Sequence, residues 1–376
     1  MSGAIPQPGS GVDDELAIER RFPALRGGLP RVRLTSLPTR VHRLMRLERE
    51  LGAEQLWIKR DDESGVLYGG NKPRKLEFVL GDALKRGRRT LLTFGGIGTH
   101  HGLATALCAR SVGLRTILLL LPQPVTDHVR RSLLLDYAAG AEMHYAPTVP
   151  LLTLQALRLW AREFLRGNWP YVVPVGGSSA LGTLGHVNAA IELQEQISAG
   201  ELPEPEWIFV PLGTGGTVAG LALGAKLAGL RARIVAVQVT DILPRSPAQL
   251  AKQAESSLTL LRRHLPDVHG PLVTAADFRI LSGYLGPTYG APTAAGCRAR
   301  DLLSQLEGID LDTTYSAKCL AAMIDAVRMP EYRGGPVLFW NTYSSIDPAD
   351  RLGPLPDYQQ LPGAFHRFFT EAVVPA

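Results

Sequence analysis

Short apolar segments alternate with helical patterns along most of this chain of 376 residues. The segments 90–94 and 116–121, for example, have the length of a strand, and each is followed by a stretch whose apolar residues recur at helical spacing. Strands and helices that alternate at this spacing predict a parallel or mostly parallel sheet covered by helices on both faces. The sequence therefore predicts an α/β fold, in which ligands bind at the carboxyl ends of the strands.

The individual elements can be placed from the same patterns. Strands are predicted over residues 56–59, 90–94, 116–121, 142–145, 171–174, 207–211 and 234–239. Helices are predicted over 41–51, from 73, from about 102, over 127–138, 151–165, 185–197, 217–228 and 247–264, and from 313. The first dozen residues, rich in Pro, Gly and Ser, are predicted to be disordered, residues 31–38 to be irregular, and regular structure to begin at residue 41.

Composition excludes several classes of protein. With 45% hydrophobic residues the chain can bury a large core, and its net charge of +5 is spread without a dense basic block, which argues against nucleic acid as a partner. The most apolar run, 117–121, is too short to cross a bilayer, so no membrane partner is expected. The three cysteines have neither zinc-site nor disulfide spacing, and the N-terminus lacks a signal-peptide pattern. These features predict a cytoplasmic protein.

Lys72 is the first candidate for catalysis. It follows Gly69, Gly70 and Asn71, which tolerate positive φ and close backbone approach, and it precedes Pro73, which favours the first turn of a helix. A lysine held in this way can reach into a cleft as an amine nucleophile. The alternative is a solvated run of charges before a helix.

A second glycine-rich loop, Gly213-Thr214-Gly215-Gly216-Thr217, joins a predicted strand to a predicted helix. Its backbone amides and the helix N-terminus suit an anion, and the two threonine hydroxyls suit a single phosphate group. Gly220 stands one position too late for a strict dinucleotide fingerprint. A phosphate cup, a dinucleotide site with Asp241 as the ribose ligand, and a simple packing turn all remain open.

Thr99, His100 and His101 follow the predicted strand 90–94 at the start of a helix. Adjacent helical residues point in different directions and no third ligand lies nearby, so a metal site is not expected here or elsewhere. One histidine is expected to have a capping or core role, whereas Thr99 or His100 is expected to face the cleft. The glycine-rich stretch 176–182 and the turns around Tyr289 and Tyr315 permit either simple turns or further site residues.

Taken together, these motifs resemble the D-cysteine desulfhydrase and 1-aminocyclopropane-1-carboxylate deaminase family of pyridoxal-phosphate enzymes, which have the tryptophan synthase β type of fold (fold type II). The resemblance runs from about residue 35 to 342. It rests on the ordered set of Lys59-Arg60-Asp61-Asp62, residues 69–77, residues 173–182, and Tyr289 with Tyr315.

The resemblance implies a role for each matching residue. Lys72 corresponds to the lysine that bonds the cofactor pyridoxal 5'-phosphate, with Asn71 setting it in place, and residues 213–217 correspond to the phosphate cup. Thr99 corresponds to the substrate-contacting serine, and His100 to the asparagine beside the phenolic oxygen. If His100 lies there, its titration near neutral pH should move the visible spectrum of the cofactor. Tyr289 and Tyr315 match two active-site tyrosines, and Ser316 matches the residue that contacts the pyridine nitrogen.

The resemblance also implies a domain plan, with two interleaved domains and usually a homodimer. Residues 31–74 and 179–376 would form the large cofactor-binding domain, residues 75–178 the small domain, and residues 1–30 a partly disordered extension.

A hydroxyl at position 316, where the deaminase branch has a carboxylate, leaves the pyridine nitrogen essentially neutral. This favours α,β-elimination from a small amino acid such as D-cysteine over opening of a cyclopropane ring. His100 and residues 341–344 depart from the family pattern, so ring-opening deamination, β-replacement, racemisation and a catalytically degenerate cofactor binder remain alternatives. A nucleotide-binding protein is the alternative from another class.

Overall fold

Two sheets form the framework of the protein, whose computed structural model describes residues 15–242, 244–269 and 272–374. A six-stranded sheet has the order β1-β2-β10-β7-β8-β9, and a four-stranded sheet has the order β5-β4-β3-β6. All strand pairs are parallel except β1 with β2. The strands are β1 Val41–Arg43, β2 Leu56–Lys59, β3 Thr90–Gly96, β4 Arg115–Leu121, β5 Glu142–Tyr145, β6 Tyr171–Val172, β7 Trp207–Leu212, β8 Arg233–Gln238, β9 Phe278–Leu281 and β10 Val337–Trp340.

Helices cover the sheets, which confirms the predicted α/β architecture. They are α1 Ala17–Arg21, α2 Met45–Leu51, α3 Asn71–Lys85, α4 His100–Ser111, α5 Asp127–Ala138, α6 Val149–Leu165, α7 Ala180–Ser198, α8 Gly216–Ala228, α9 Pro247–Leu261, α10 Ala294–Glu307, α11 Ser316–Ala326, α12 Ala349–Leu352 and α13 Arg367–Thr370. Short 3₁₀ helices lie at Pro23–Leu25, Asp61–Glu63, Val175–Gly177, Ala275–Asp277, Pro330–Tyr332, Tyr358–Gln360 and Gly363–Phe365. No helix in the described ranges is long and apolar enough to cross a membrane.

The cores lie between the sheets and these helices. Helices α7, α8 and α9 pack on one face of the six-stranded sheet, where Val210 and Leu221 are buried. On its other face, helices α10 and α11 bury Leu303 and Met323. The four strands of the smaller sheet all lie between residues 90 and 172, whereas those of the larger sheet come from both sides of that segment. The domain boundaries stay a prediction.

The prediction for residues 41–51 was wrong at its start. Residues Val41–Arg43 form strand β1, and the helix begins only at Met45. Strand β1 is antiparallel to β2, with Val41 opposite Lys59, so a pairing partner distant in sequence overrides the local helical pattern. Regular structure also begins earlier than expected, because α1 buries Ile18. The predicted disorder of the first dozen residues lies outside the described residues.

The C-terminal segment, which matches no family motif, packs against the smaller sheet's helices. Phe365 and Phe368 are buried, and their rings contact Tyr145 edge-on. The backbone carbonyl of Phe368 accepts a 2.9 Å hydrogen bond from Nε of Arg130. This segment therefore packs against β5 and α5.

A buried network of ion pairs fixes the start of α3, the helix that carries Lys72. The guanidinium of Arg74 donates to Asp61 at 2.7 Å and to Glu192 at 2.9 Å, and Nζ of Lys59 donates to Glu192 at 2.6 Å. Nε1 of Trp340 donates to the other oxygen of Asp61 at 2.7 Å. Two cations and two carboxylates balance one another there, which gives Lys59 and Asp61 of the Lys59-Arg60-Asp61-Asp62 motif a structural role.

Candidate active site

A cavity of about 600 Å³ opens at the carboxyl ends of strands from both sheets. Its lining combines the loop after β3, the loop after β7 and the first turn of α3. The sequence-predicted residues that line it are Asn71, Lys72, Thr99, His100, Gly213, Thr214, Gly215, Thr217, Tyr289 and Tyr315. Two predicted residues, Gly216 and Ser316, do not line it.

Lys72 lies in this cavity at the first turn of α3. The helix begins after Gly70, whose φ of +79° and whose tight contact with the carbonyl of Thr342 both require glycine. Nζ of Lys72 donates a 2.7 Å hydrogen bond to Oδ1 of Asn71, and Nδ2 of Asn71 donates to Thr217 at 2.9 Å. Burial lowers the pKa of Lys72 to about 8, although the Asp312 carboxylate partly opposes this. A substantial fraction of the amine is therefore neutral near physiological pH.

The loop of residues 213–217 is shaped to receive an anion. Gly215 has a φ of +92°, and α8 begins at the next residue, so the helix N-terminus points into the loop. A side chain at Gly216 would clash with Oγ of Ser178, 2.5 Å from an added Cβ, and approach Nζ of Lys75 at 3.0 Å. The hydroxyls of Thr214 and Ser178 lie 2.6 Å apart. Glycine at this position thus leaves room beside two hydroxyls and the amine of Lys75.

Lys75 is a site residue that sequence reasoning missed. Its Nζ donates to the carbonyl of Gly176 and to Oγ of Ser178, both at 3.2 Å, and no carboxylate among the described residues pairs with it. Burial, and then the charge of Lys72, hold its pKa well below the usual range for lysine. The sequence did contain a signal for Lys75: it lies three residues after Lys72 on the same helix, so the two side chains share one helix face.

Thr99 is the N-cap of α4, and its hydroxyl accepts a hydrogen bond from the amide of Gly102 at 3.2 Å. His101 is buried, and its Nε2 lies 2.9 Å from the hydroxyl of Thr93, but its side chain also lines the cavity. Burial lowers the pKa of His101 to about 3. The two adjacent histidines therefore diverge, and no cluster of metal-ligating side chains occurs in residues 15–242, 244–269 and 272–374.

His100 faces the cavity. Its Nδ1 lies 2.8 Å from the hydroxyl of Tyr68, its ring packs 4.6 Å from that of His128, and its Nε2 is buried without a hydrogen-bond partner. Burial, reinforced by His128, lowers the pKa of His100 to about 3. The expectation that His100 titrates near neutral pH was therefore wrong, since desolvation, which cannot be read from sequence, dominates.

Asp312 is the second site residue that sequence reasoning missed. Its carboxylate accepts hydrogen bonds from the amides of Thr314, Tyr315 and Ser316 at 3.0, 2.6 and 3.0 Å, at the start of α11. Ser316 Oγ also donates to this carboxylate, at 2.5 Å. His100 and these donors lower the pKa of Asp312 against the effect of burial. Asp312 lines the cavity, whereas Ser316 does not, and the hydroxyl of Ser316 donates its proton to the Asp312 carboxylate.

Tyr289 and Tyr315 come together although they are 26 residues apart. Their hydroxyls are hydrogen-bonded, and Nζ of Lys72 lies 5.9 Å from the ring centre of Tyr315. Burial raises the pKa of both phenols, so both remain protonated at neutral pH. Asp241, proposed as a ribose ligand in the nucleotide-binding alternative, instead accepts a hydrogen bond from the amide of Tyr289 at 3.3 Å.

Fold and site together define a class of protein. An α/β framework holds a partly buried lysine of lowered pKa opposite a glycine-rich anion cup, which fits a cofactor that has both an aldehyde and a phosphate. The family model for pyridoxal-phosphate dependent enzymes matches residues 32–342. The chain belongs to this family and uses pyridoxal 5'-phosphate as its cofactor.

Curated relatives and solved structures narrow the comparison. The chain is 38% identical over 325 residues to D-cysteine desulfhydrase of Klebsiella pneumoniae (strain 342). The matched region covers 83% of this chain and 93% of the relative. It is 37% identical over 322 residues to D-cysteine desulfhydrase of Salmonella newport (strain SL254), with the same coverage. A crystal structure of an ACC deaminase homologue is 30% identical, with a TM-score of 0.72, and covers 88% of this chain and 98% of that chain.

A more distant structure shares the fold alone. Threonine deaminase isoform 2 from Solanum lycopersicum is 16% identical and has a TM-score of 0.58 over 93% of this chain and 96% of that chain. These comparisons confirm both the resemblance found in the sequence and fold type II.

Proposed function

We propose that the protein is a pyridoxal-phosphate-dependent lyase that catalyses α,β-elimination from a small, D-cysteine-like amino acid. The products are a 2-oxo acid, ammonia and the β-leaving group. The observation that carries the proposal is the position of Lys72, whose largely desolvated amine lies between the anion cup and the tyrosine pair. The relatedness to two D-cysteine desulfhydrases supports the substrate class.

The cofactor would be held by residues on both sides of Lys72. Residues 213–217 and the N-terminus of α8 would bind its phosphate, with Nζ of Lys75 as a further hydrogen-bond donor. Asn71 would orient the amine of Lys72 through their 2.7 Å hydrogen bond, and His100 would lie beside the ring as a neutral imidazole. When bound, pyridoxal phosphate delocalises the negative charge that develops on the α-carbon of the substrate.

The remaining site residues would hold the substrate and move protons. The first turn of α4, with Thr99 at its N-cap, would bind the α-carboxylate, since a helix N-terminus favours an anion. Nζ of Lys72 would remove the α-proton as a general base. The hydrogen-bonded phenols of Tyr289 and Tyr315, kept protonated by burial, would supply a proton to the leaving group.

The contact of Ser316 with the pyridine nitrogen stays a prediction. The Ser316 hydroxyl also donates a hydrogen bond to Asp312, and this second role would hold the Asp312 carboxylate in place. Position 316 holds a serine, but Asp312 supplies a carboxylate to the cavity lining. The preference for elimination over the opening of a cyclopropane ring therefore rests on the D-cysteine desulfhydrase relatives. The structural similarity to an ACC deaminase homologue keeps ring opening as the second candidate.

Product analysis tests the activity. Purified enzyme is supplied with D-cysteine, 3-chloro-D-alanine and 1-aminocyclopropane-1-carboxylate in separate assays. Elimination predicts pyruvate and ammonia from the first two substrates, and release of 2-oxobutanoate from the third alone would overturn it. Exchange of the α-proton with heavy water that yields the opposite enantiomer and no 2-oxo acid would instead indicate racemisation, and no exchange at all would indicate a cofactor binder without catalysis.

We also propose that the chain forms a homodimer in the cytoplasm, with residues 31–74 and 179–376 as the large domain and residues 75–178 as the small one. The cysteines Cys108, Cys297 and Cys319 are all free thiols, which fits a reducing compartment. The smaller sheet uses only strands within the proposed small domain. Sedimentation measurements test the dimer, and limited proteolysis near the proposed boundaries tests the domains.

A further inference from the structure

One side of the cavity in the candidate active site is apolar. Six apolar side chains line it and form the apolar lobe, which consists of Phe94, Leu121, Val149, Leu152, Ala156 and Val175. They come from the ends of β3 and β4, the first two turns of α6 and the 3₁₀ helix after β6. Phe94, Leu152 and Ala156 pack on one hydrophobic cluster between α6 and the smaller sheet. These three side chains therefore share the face of the sheet that α6 covers.

Charged groups are absent from this side of the cavity. No aspartate, glutamate, lysine or arginine among residues 90–177 lines it. The charged side chains of the lining, Lys72, Lys75 and Asp312, come instead from α3 and from the segment before α11. Thr153 lies beside the lobe on α6, but its hydroxyl donates to the carbonyl of Val149 at 3.0 Å. The lobe therefore offers a ligand apolar contacts and few hydrogen bonds.

Several of these apolar side chains are left uncovered. Val149 is 59% exposed and Val175 is 37% exposed, and Phe94 and Leu152 are only partly buried. Ile242, in the loop after β8 of the larger sheet, also lines the cavity and is 55% exposed. Exposed apolar side chains that converge on one cavity mark a surface that a ligand covers. Cavities of about 300–1,000 Å³ hold drug-sized ligands, and this cavity of about 600 Å³ lies within that range.

The lobe adjoins the proposed site for the substrate carboxylate. Phe94 is followed by Gly95 and Gly96 at the end of β3, and then by the loop that carries Thr99 at the N-cap of α4. A substrate with its carboxylate at this N-cap and its amine at Lys72 has one large group left to place, the substituent on its β-carbon. This substituent is the group that leaves in an α,β-elimination.

We propose that the apolar lobe binds the leaving group, and that the preferred substrates are D-cysteine S-conjugates whose sulfur carries an aryl or alkyl group. The inference rests on the proposed elimination and adds the class of its substrate. Lys72 removes the α-proton, and the electron pair of that bond forms the double bond between the α- and β-carbons. The bond from the β-carbon to sulfur breaks, and sulfur keeps its electron pair and takes up a proton as a thiol. Hydrolysis of the three-carbon fragment consumes one water and gives pyruvate and ammonia.

Steady-state kinetics of the holoenzyme with S-benzyl-D-cysteine and with D-cysteine test the proposal, with released pyruvate as the readout. One methylene in an apolar pocket changes kcat/KM by about 10–200-fold, so kcat/KM is expected to be at least about tenfold higher for S-benzyl-D-cysteine. Leu152→Glu places a charge in the lobe and is expected to lower the ratio of the two kcat/KM values by at least about tenfold.

The matched control is Leu151→Glu, the same change at the preceding residue of α6. Leu151 is 44% exposed and does not line the cavity, so this variant is expected to keep the ratio of the wild type. Circular dichroism checks that each variant is folded. Val149→Glu, at a more exposed position of the lobe, repeats the test if Leu152→Glu does not fold.

Each outcome separates the substrate class from the elimination itself. A preference for S-benzyl-D-cysteine that is lost in Leu152→Glu and kept in Leu151→Glu supports the inference. If D-cysteine reacts at least as well as S-benzyl-D-cysteine, the substrate class is wrong while the proposed elimination survives. A preference that is equally strong in Leu152→Glu and Val149→Glu shows that the benzyl group binds elsewhere and overturns the role of the lobe. If neither compound yields pyruvate, the proposed function fails and the inference fails with it.

Discussion

Nε2 of His100 lies 3.9 Å from Oδ2 of Asp312 in the candidate active site, yet the imidazole is neutral. The carboxylate is already stabilised by three backbone amides and the hydroxyl of Ser316. Burial of the imidazole then outweighs the attraction of one nearby charge. This pair links α4, which would bind the substrate, to α11, which carries Tyr315 at its start.

His100 should make folding acid-sensitive. The pKa of His100 is about 3 in the folded protein, whereas the unfolded chain takes up this proton near 6.5. The associated stability is therefore fully present above pH 6.5 and is lost as the pH falls toward 3, by up to about 1.4 kcal/mol per pH unit. Urea unfolding at pH 7 and pH 5 should show a smaller loss for His100→Asn than for wild type.

The control for that experiment is His269→Asn, which replaces an exposed histidine and should behave like the wild type. An NMR titration of His100 with a midpoint between pH 6 and 7 would contradict the expectation directly. Near neutral pH, the visible spectrum of the bound cofactor should respond to pH in the same way in the wild type and in His100→Asn.

Lys72 should react as a neutral amine at lower pH than an ordinary lysine. Because burial lowers its pKa to about 8, the rate at which the apoprotein bonds added pyridoxal phosphate should rise up to about pH 8 and then level off. Stopped-flow absorbance of the visible band measures this rate. A rate that continues to rise to pH 10 would show that the amine is solvated. In Lys72→Ala no band should form, and a borohydride-sensitive band in that variant would remove Lys72 from the site.

Asp312→Asn should destabilise the protein by about 1–3 kcal/mol, because a charged acceptor for several buried donors is lost. Urea unfolding measures the change. The control Asp310→Asn alters a nearby exposed carboxylate that accepts from Ser304 and should change the free energy of unfolding by less than about 0.5 kcal/mol. Equal effects in the two variants would mean that Asp312 is only a surface cap.

Arg74→Met should be more severe still. Removing this guanidinium leaves Asp61 and Glu192 buried with Lys59 as the remaining cation of the four-charge network, which costs about 3–5 kcal/mol. Arg40→Met breaks an exposed pair with Glu63 and should cost about 0–1 kcal/mol. If the two variants unfold at the same urea concentration, the buried network does not hold α3 in place.

The sequence by itself predicted the alternation of strands and helices, the glycine-rich loops and the helices that begin near Lys72 and Thr217. These depend on local properties, such as the tolerance of Gly70 and Gly215 for positive φ and the period of apolar residues. The comparisons confirm the family and the cofactor that these motifs indicated. The individual roles of the site residues stay predictions.

Tertiary structure decided what no local pattern contains. Strand β1 exists because β2 offers it a partner, and strands β9 and β10 were not recognised before they were seen paired in the large sheet. Asp312, rather than Ser316, faces the cavity, and Lys75 lies beside the anion cup. Both positions depend on packing between distant segments of the chain. The neutral state of His100 was likewise decided by desolvation, which arises only when the chain has folded around it.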